Sequence, residues 1–86
     1  MFSHITIGAD DIATAKRFYD AALAALSVPP GEIDIRGRLN YIHAGGRLLI
    51  TKPLNGEPTD GGNGHTLGFL AGSPAEVDAW HAAGLA

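Results

Sequence analysis

The chain has 86 residues, of which 45% are hydrophobic and 17% charged, with a formal net charge of -3 and no cysteine. That length holds one domain or part of one, and the mild negative charge gives no electrostatic case for nucleic acid or an anionic membrane as partner. Without cysteine there is no disulfide framework, thiolate nucleophile or zinc–thiolate cluster. No apolar run approaches the roughly 18 residues of a membrane span, and the N-terminus opens into a strand pattern rather than a signal peptide, so a cytoplasmic protein is expected.

Phe2 to Gly8 alternates, with Phe2, His4 and Thr6 on one face and Ser3, Ile5 and Ile7 on the other, and its β-branched residues favour a strand. Asp10 or Asp11 then offers a carboxylate to the free N–H groups of a first helical turn. Ile12, Ala15, Phe18, Tyr19, Ala22, Leu23 and Leu26 recur at spacings of three and four, which predicts a helix to about Leu26, ended by Pro29-Pro30-Gly31. The aromatic residues Phe18, Tyr19 and Trp80 stand at helical spacing and are expected in the core. Glu32 to Arg36 alternates polar and apolar and predicts a half-exposed strand turned by Gly37. Arg38 to Ala44 predicts another, with Leu39, Tyr41 and His43 on one side, and Gly45-Gly46 a hairpin into a strand over Arg47 to Lys52.

Pro53 to Gly64 has the composition of an exposed loop. His65 to Leu70 predicts a further strand, and Ser73-Pro74 with Glu76 three residues past Ser73 forms a capping box that opens a second helix. The order of histidine strand, turn, cap and helical aromatic therefore occurs twice, from His4 to Phe18 and from His65 to Trp80. The expected organisation is a first βαβββ module over 1–53, a linker over 54–64, and the βα start of a second module over 65–86, an α+β fold.

The run His4-Ile5-Thr6-Ile7, with Asp10-Asp11-Ile12 and Lys16-Arg17-Phe18-Tyr19, resembles the opening of the vicinal-oxygen-chelate superfamily, which includes glyoxalase I, bleomycin-resistance proteins and extradiol dioxygenases. Asn63-Gly64-His65-Thr66-Leu67-Gly68-Phe69 is similar to the start of a second module. The resemblance implies two βαβββ modules whose sheets curl into a cup around a small organic molecule. It also implies three more strands after the second helix, so the sequence is expected to be C-terminally truncated and, with strand edges uncovered, to form a homodimer.

For the site, the resemblance implies a pocket lined by His4, Tyr41, His43, Ile50, Lys52 and His65. In metal-using members the cup holds a divalent ion (Zn, Ni, Mn or Fe) that acts as a Lewis acid in a lyase or dioxygenase reaction, and His4 and His65 match two of its ligands. The carboxylate ligand of the last strand of module one has no match, because no Asp or Glu lies between Asp34 and Glu57. A metal-dependent enzyme, a non-catalytic module that sequesters its ligand, and an inactive fragment all stay open on the sequence. His4 and His65 equally suit polar residues lining a pocket.

Overall fold

The computed structural model describes residues 3–53, 56–59 and 67–85. Its elements are β1 (Ile5–Gly8), α1 (Ile12–Ala24), β2 (Glu32–Ile33), β3 (Leu39–His43), β4 (Gly46–Thr51) and α2 (Pro74–Leu85). The strands form one mixed sheet in the order β1-β4-β3-β2. β1 runs parallel to β4, while β3 is antiparallel to both β4 and β2. This is the α+β, βαβββ order expected of the first module, followed by a second helix. No helix among the described residues is long and apolar enough to cross a membrane.

α1 starts where the sequence predicts. The Asp11 carboxylate accepts from the Thr14 backbone N–H at 3.1 Å and the Thr14 hydroxyl at 2.9 Å. It thereby satisfies a donor that the helix itself cannot. These bonds, the backbone one foremost, hold the Asp11 carboxyl below its ordinary range. The helix ends at Ala24, short of the prolines. Ser27 N–H donates to Ala24 O at 3.0 Å and Val28 N–H to Leu23 O at 3.1 Å, with Ser27 at φ 66°. This pair of bonds is a Schellman motif, so a left-handed serine stops the helix before Pro29-Pro30 is reached.

In the meander, two strand bounds differ from the alternation. β2 stops at Ile33 because the Asp34 carboxylate captures the backbone N–H groups of Arg36 (2.9 Å) and Arg38 (3.0 Å) and bends the chain. An Asp side chain that mimics a backbone acceptor competes with ladder formation in this way. Ile35 is left fully exposed at the tip of the turn. The β3–β4 hairpin turns one residue earlier than the glycine pair suggests. His43 pairs with Gly46, and Ala44 (φ 50°) and Gly45 (φ 82°) are the two loop residues. Positive φ at both is the type I′ geometry that suits the strand twist.

Because cross-strand partners share a face, the register sorts the sheet. Ile7, Ile50 and Leu39 align across β1, β4 and β3, as do Leu48 and Tyr41 across β4 and β3. With Leu23 and Leu26 they form the core between α1 and the sheet, and Leu39 and Ile50 are completely buried. Gly31 lies against this layer, where an added Cβ would sit 2.7 Å from Leu39 Cδ1 and from Tyr41 Cζ, so no side chain fits. α1 packs on the sheet and α2 packs on α1, so both helices lie on the same side.

The second predicted strand is not formed over the part that is described. Residues 67–70 join no ladder, since neither described edge of the sheet pairs with them, while His65 and Thr66 lie outside the described residues. α2 does open at Ser73, whose hydroxyl accepts from the Glu76 N–H at 3.2 Å. The Glu76 carboxylate reaches back to the N–H of Gly72 at 2.7 Å, one residue earlier than the capping-box pattern implies. α2 buries no residue among those described. Trp80 is 38% exposed and Phe18 47%, so the expectation that they belong to the core is corrected. The reason is geometric: α1 already covers the sheet, and α2 has only the outer surface of α1 to pack on.

Candidate functional site

The sheet has one face under α1 and one that neither helix covers. Ile5 and Ile7 point toward α1, so alternation puts His4 and Thr6 on the open face of β1. Arg47, Leu49 and Thr51 share that face on β4, and Asn40 and Ile42 on β3. Thr6, Leu49 and Asn40 stand in one cross-strand row. One step beyond the last β1–β4 pair, His4 stands opposite Arg47. His4 is exposed, with its Nδ1 2.8 Å from the Ser3 hydroxyl.

Of the six residues expected to line one pocket, Tyr41 and His43 both line the cavity beside α1, while His4 and Lys52 lie elsewhere. Tyr41 and Ile50 are buried beneath α1, and His43, two residues past Tyr41, shares their face. Lys52, just past β4, borders a shallow hollow with Asp10, Pro53 and Pro58. His4 alone of the described five occupies the open face, and His65 lies outside the described residues. The alternation of β3 and β4 is visible in the sequence, but which phase α1 covers is not. The phase of Tyr41 and Ile50 is the one α1 covers, and Tyr41 lines the cavity on that side.

Tyr41 has a structural task instead. Its hydroxyl donates to Asp20 Oδ1 at 2.7 Å, and the same carboxylate receives the Gly31 N–H at 2.9 Å and the Lys16 ammonium. Partial burial pushes the Asp20 carboxyl up, but the bonds from Lys16, Gly31 and Tyr41 outweigh it and leave a net lowering. Burial first, the hydrogen bond to Asp20 second and the Asp20 charge third raise the Tyr41 phenol above its usual value. The cluster ties the middle of α1 to β3 and to the chain entering β2.

A second polar network runs across the open face, through residues the sequence reading passed over. The Asn40 amide donates to Asp34 Oδ2 (3.2 Å) and to the Arg38 carbonyl (3.0 Å), so its NH₂ is turned toward Asp34. Its carbonyl oxygen then faces Arg47 and accepts from Nε (3.1 Å) and Nη2 (2.6 Å) of the guanidinium. Asp34 also pairs with Arg38 Nε at 2.9 Å. The Arg38 backbone N–H, with Asn40 and the other donors, outweighs desolvation and lowers the Asp34 carboxyl to about 2. The signal for this network was the match of Asn40 and Arg47 to the same phase of their strands.

On the opposite, α1 face, a cavity of about 380 Å³ opens between Leu23 of α1 and Leu26 just past it, Leu48 of the sheet and Phe69, and Tyr41, His43 and Arg47 also border it. Its lining is mainly apolar. Donors for a metal ion do not gather: among the described residues no group of three or more His, Cys, Asp or Glu side chains is placed to hold one. β4 carries no carboxylate, and Arg47 stands opposite His4. His4 by itself is too few donors for a divalent cation, and the second histidine, His65, lies outside the described residues.

No protein-family profile matches the chain, and no curated protein matches it. Among solved structures it is similar to the crystal structure of a glyoxalase/bleomycin resistance protein from Albidiferax ferrireducens T118, with 46% sequence identity and a TM-score of 0.92. The match covers 98% of this chain and 67% of that one.

Proposed function

This chain belongs to the glyoxalase/bleomycin resistance family of the vicinal-oxygen-chelate superfamily, and from that premise we propose that it binds a small organic molecule on the open face of its sheet, without a metal ion held by this module. The observation that carries the reading is the composition of that face. Thr6, Asn40 and Arg47 supply polar groups and the exposed Ile42 supplies apolar surface, while Leu49 between them is itself buried, and neither helix lies over this face. A few fixed polar groups beside apolar surface are what small-molecule sites use to orient a ligand. The α1-side cavity is the competing site: its lining is mainly apolar, with Tyr41, His43 and Arg47 at its border.

β1 pairs on one side only, with β4, so its other edge is free to take a strand among the described residues. Pairing there with a second module or a second copy would supply the other wall of a cup. The chemistry available on the described face is binding and orientation: hydrogen bonds from Thr6 and Asn40, and a fixed positive charge at Arg47.

The test is calorimetric titration of the chain with Zn²⁺, Ni²⁺, Mn²⁺ and Fe²⁺ at micromolar concentrations. The expected result is no saturable heat. A stoichiometric site of micromolar affinity would overturn the metal-free reading in favour of a Lewis-acid enzyme whose other ligands come from His65 or from outside the described residues.

A further inference from the structure

We infer that Arg47 is an anion anchor, and that the ligand of the open face carries a compact oxyanion, a carboxylate or a phosphoryl group; the inference rests on the binding reading above. Three observations carry it. First, Arg47 makes no ion pair among the described residues, whose salt bridges are Lys16–Asp20 and Arg38–Asp34. Its partner is the neutral Asn40 oxygen, so its charge is not neutralised locally.

Second, the guanidinium is fixed in place. Asn40 cannot rotate its amide without turning the NH₂ away from two acceptors, Asp34 and the Arg38 carbonyl, and toward a cation. Nε and Nη2 are both held by one oxygen, which sets the plane of the fork and leaves its remaining N–H groups to a ligand. An arginine held in this way loses less side-chain freedom on binding than one loose in solvent.

Third, its surroundings suit an organic anion. Ile42, largely exposed, is its partner on β3, and continuing the β1–β4 register one residue past Ile5–Leu48 sets His4 across from Arg47. The nearest carboxylate in the network, Asp34, is already committed to Arg38, Asn40 and two backbone N–H groups. A planar carboxylate or a phosphoryl group matches the fork, with the rest of the ligand lying over the exposed Ile42.

The experiment is an NMR titration of isotope-labelled chain with benzoate, phenyl phosphate and neutral benzamide, following Arg47 Nε–H and the backbone amides of His4 and Thr6. The expected result is that one of the anions binds about tenfold more tightly than benzamide or better, as expected of charge-assisted bonds, and weakens as salt is raised. Which anion leads tells a carboxylate ligand from a phosphoryl one. In R47Q the preference for the anion over benzamide falls to about twofold or less. N40A, which frees the guanidinium without removing its charge, gives an intermediate preference, and a thermal melt confirms that both variants fold. Equal affinity for benzoate, phenyl phosphate and benzamide, with His4 and Thr6 responding, would overturn the anchor and leave the open-face site standing. Shifts confined to the α1-side cavity at Leu23 and Leu48, or no shifts with any probe, would overturn both.

Discussion

The segment from β1 to β4 and the segment from Leu67 to Leu85 follow similar sequence patterns, yet they hold very different places in the structure. In the first, Leu39, Ile50, Leu23 and Tyr41 are closed off between a helix and a sheet. In the second, residues 67–70 pair with no strand, and α2 leaves Val77, Trp80 and Leu85 substantially exposed. The helix start is equally well made in both, with Asp11 capping α1 and Ser73 and Glu76 capping α2. Local capping is enough to define a helix, but a core needs an opposing surface, and only the first segment has one. Capping contributes about 1 kcal/mol, whereas one fully buried aliphatic side chain contributes about 1.5–3 kcal/mol.

Three measurements sharpen or break this contrast. The largest effect is expected for Ile50→Ala, which removes a completely buried side chain beneath α1 and should cost about 2–5 kcal/mol in urea unfolding. Trp80→Ala, despite deleting a larger side chain, should cost less, because the indole is 38% exposed on the outer helix. A Trp80→Ala cost equal to that of Ile50→Ala would mean that α2 is as much a part of the core as β4. Next is Ser27→Gly. Ser27 holds φ 66°, a conformation glycine adopts without the Cβ penalty, so the variant should be more stable by about 0.5–1 kcal/mol. A loss of stability would show that the Schellman end of α1 is held by the serine side chain.

The smallest effect is expected at Asp34, whose ion pair with Arg38 is partly exposed and screened by solvent. Its carboxyl lies near 2 in the folded chain against an ordinary value of 3.8. A depressed folded value means that the contribution is present above pH 3.8 and is lost as pH falls toward 2. Unfolding midpoints measured from pH 5 to pH 2 should therefore decline, and Asp34→Asn should flatten that acid limb. An unchanged limb would place the acid sensitivity elsewhere, with Asp20 and Asp11 as the other carboxylates lowered by hydrogen bonds.

The sequence was most legible where a residue acts on its immediate neighbours. The cap at Asp11, the apolar stripe of α1, the proline after Ser73 and the order of elements in the first module are all readable from spacing alone. It was less legible where two local signals compete. The alternation from Glu32 to Arg36 favours a strand, but the Asp34 carboxylate offers amide partners at shorter range and bends the chain first. The hairpin moved by one residue for a related reason: the ladder places His43 opposite Gly46, so Ala44 takes the left-handed turn position although two glycines follow it.

The candidate site divides along the same line. That His4 and Thr6 share a face, as do Tyr41 and His43, follows from the two-residue period of a strand. Whether those two faces are the same one depends on parallel and antiparallel register across three strands, which no single strand encodes. Register joins Tyr41 and Ile50 to the buried layer and sets Asn40 and Arg47 on the other face with Thr6. The sequence by itself determined the βαβββ order, the caps and the family likeness, because those rest on short-range hydrogen bonds and periodicity. Only the tertiary structure decided which side of the sheet α1 would cover, and so which residues remain free to meet a ligand, because a face becomes interior or exterior only when another element packs against it.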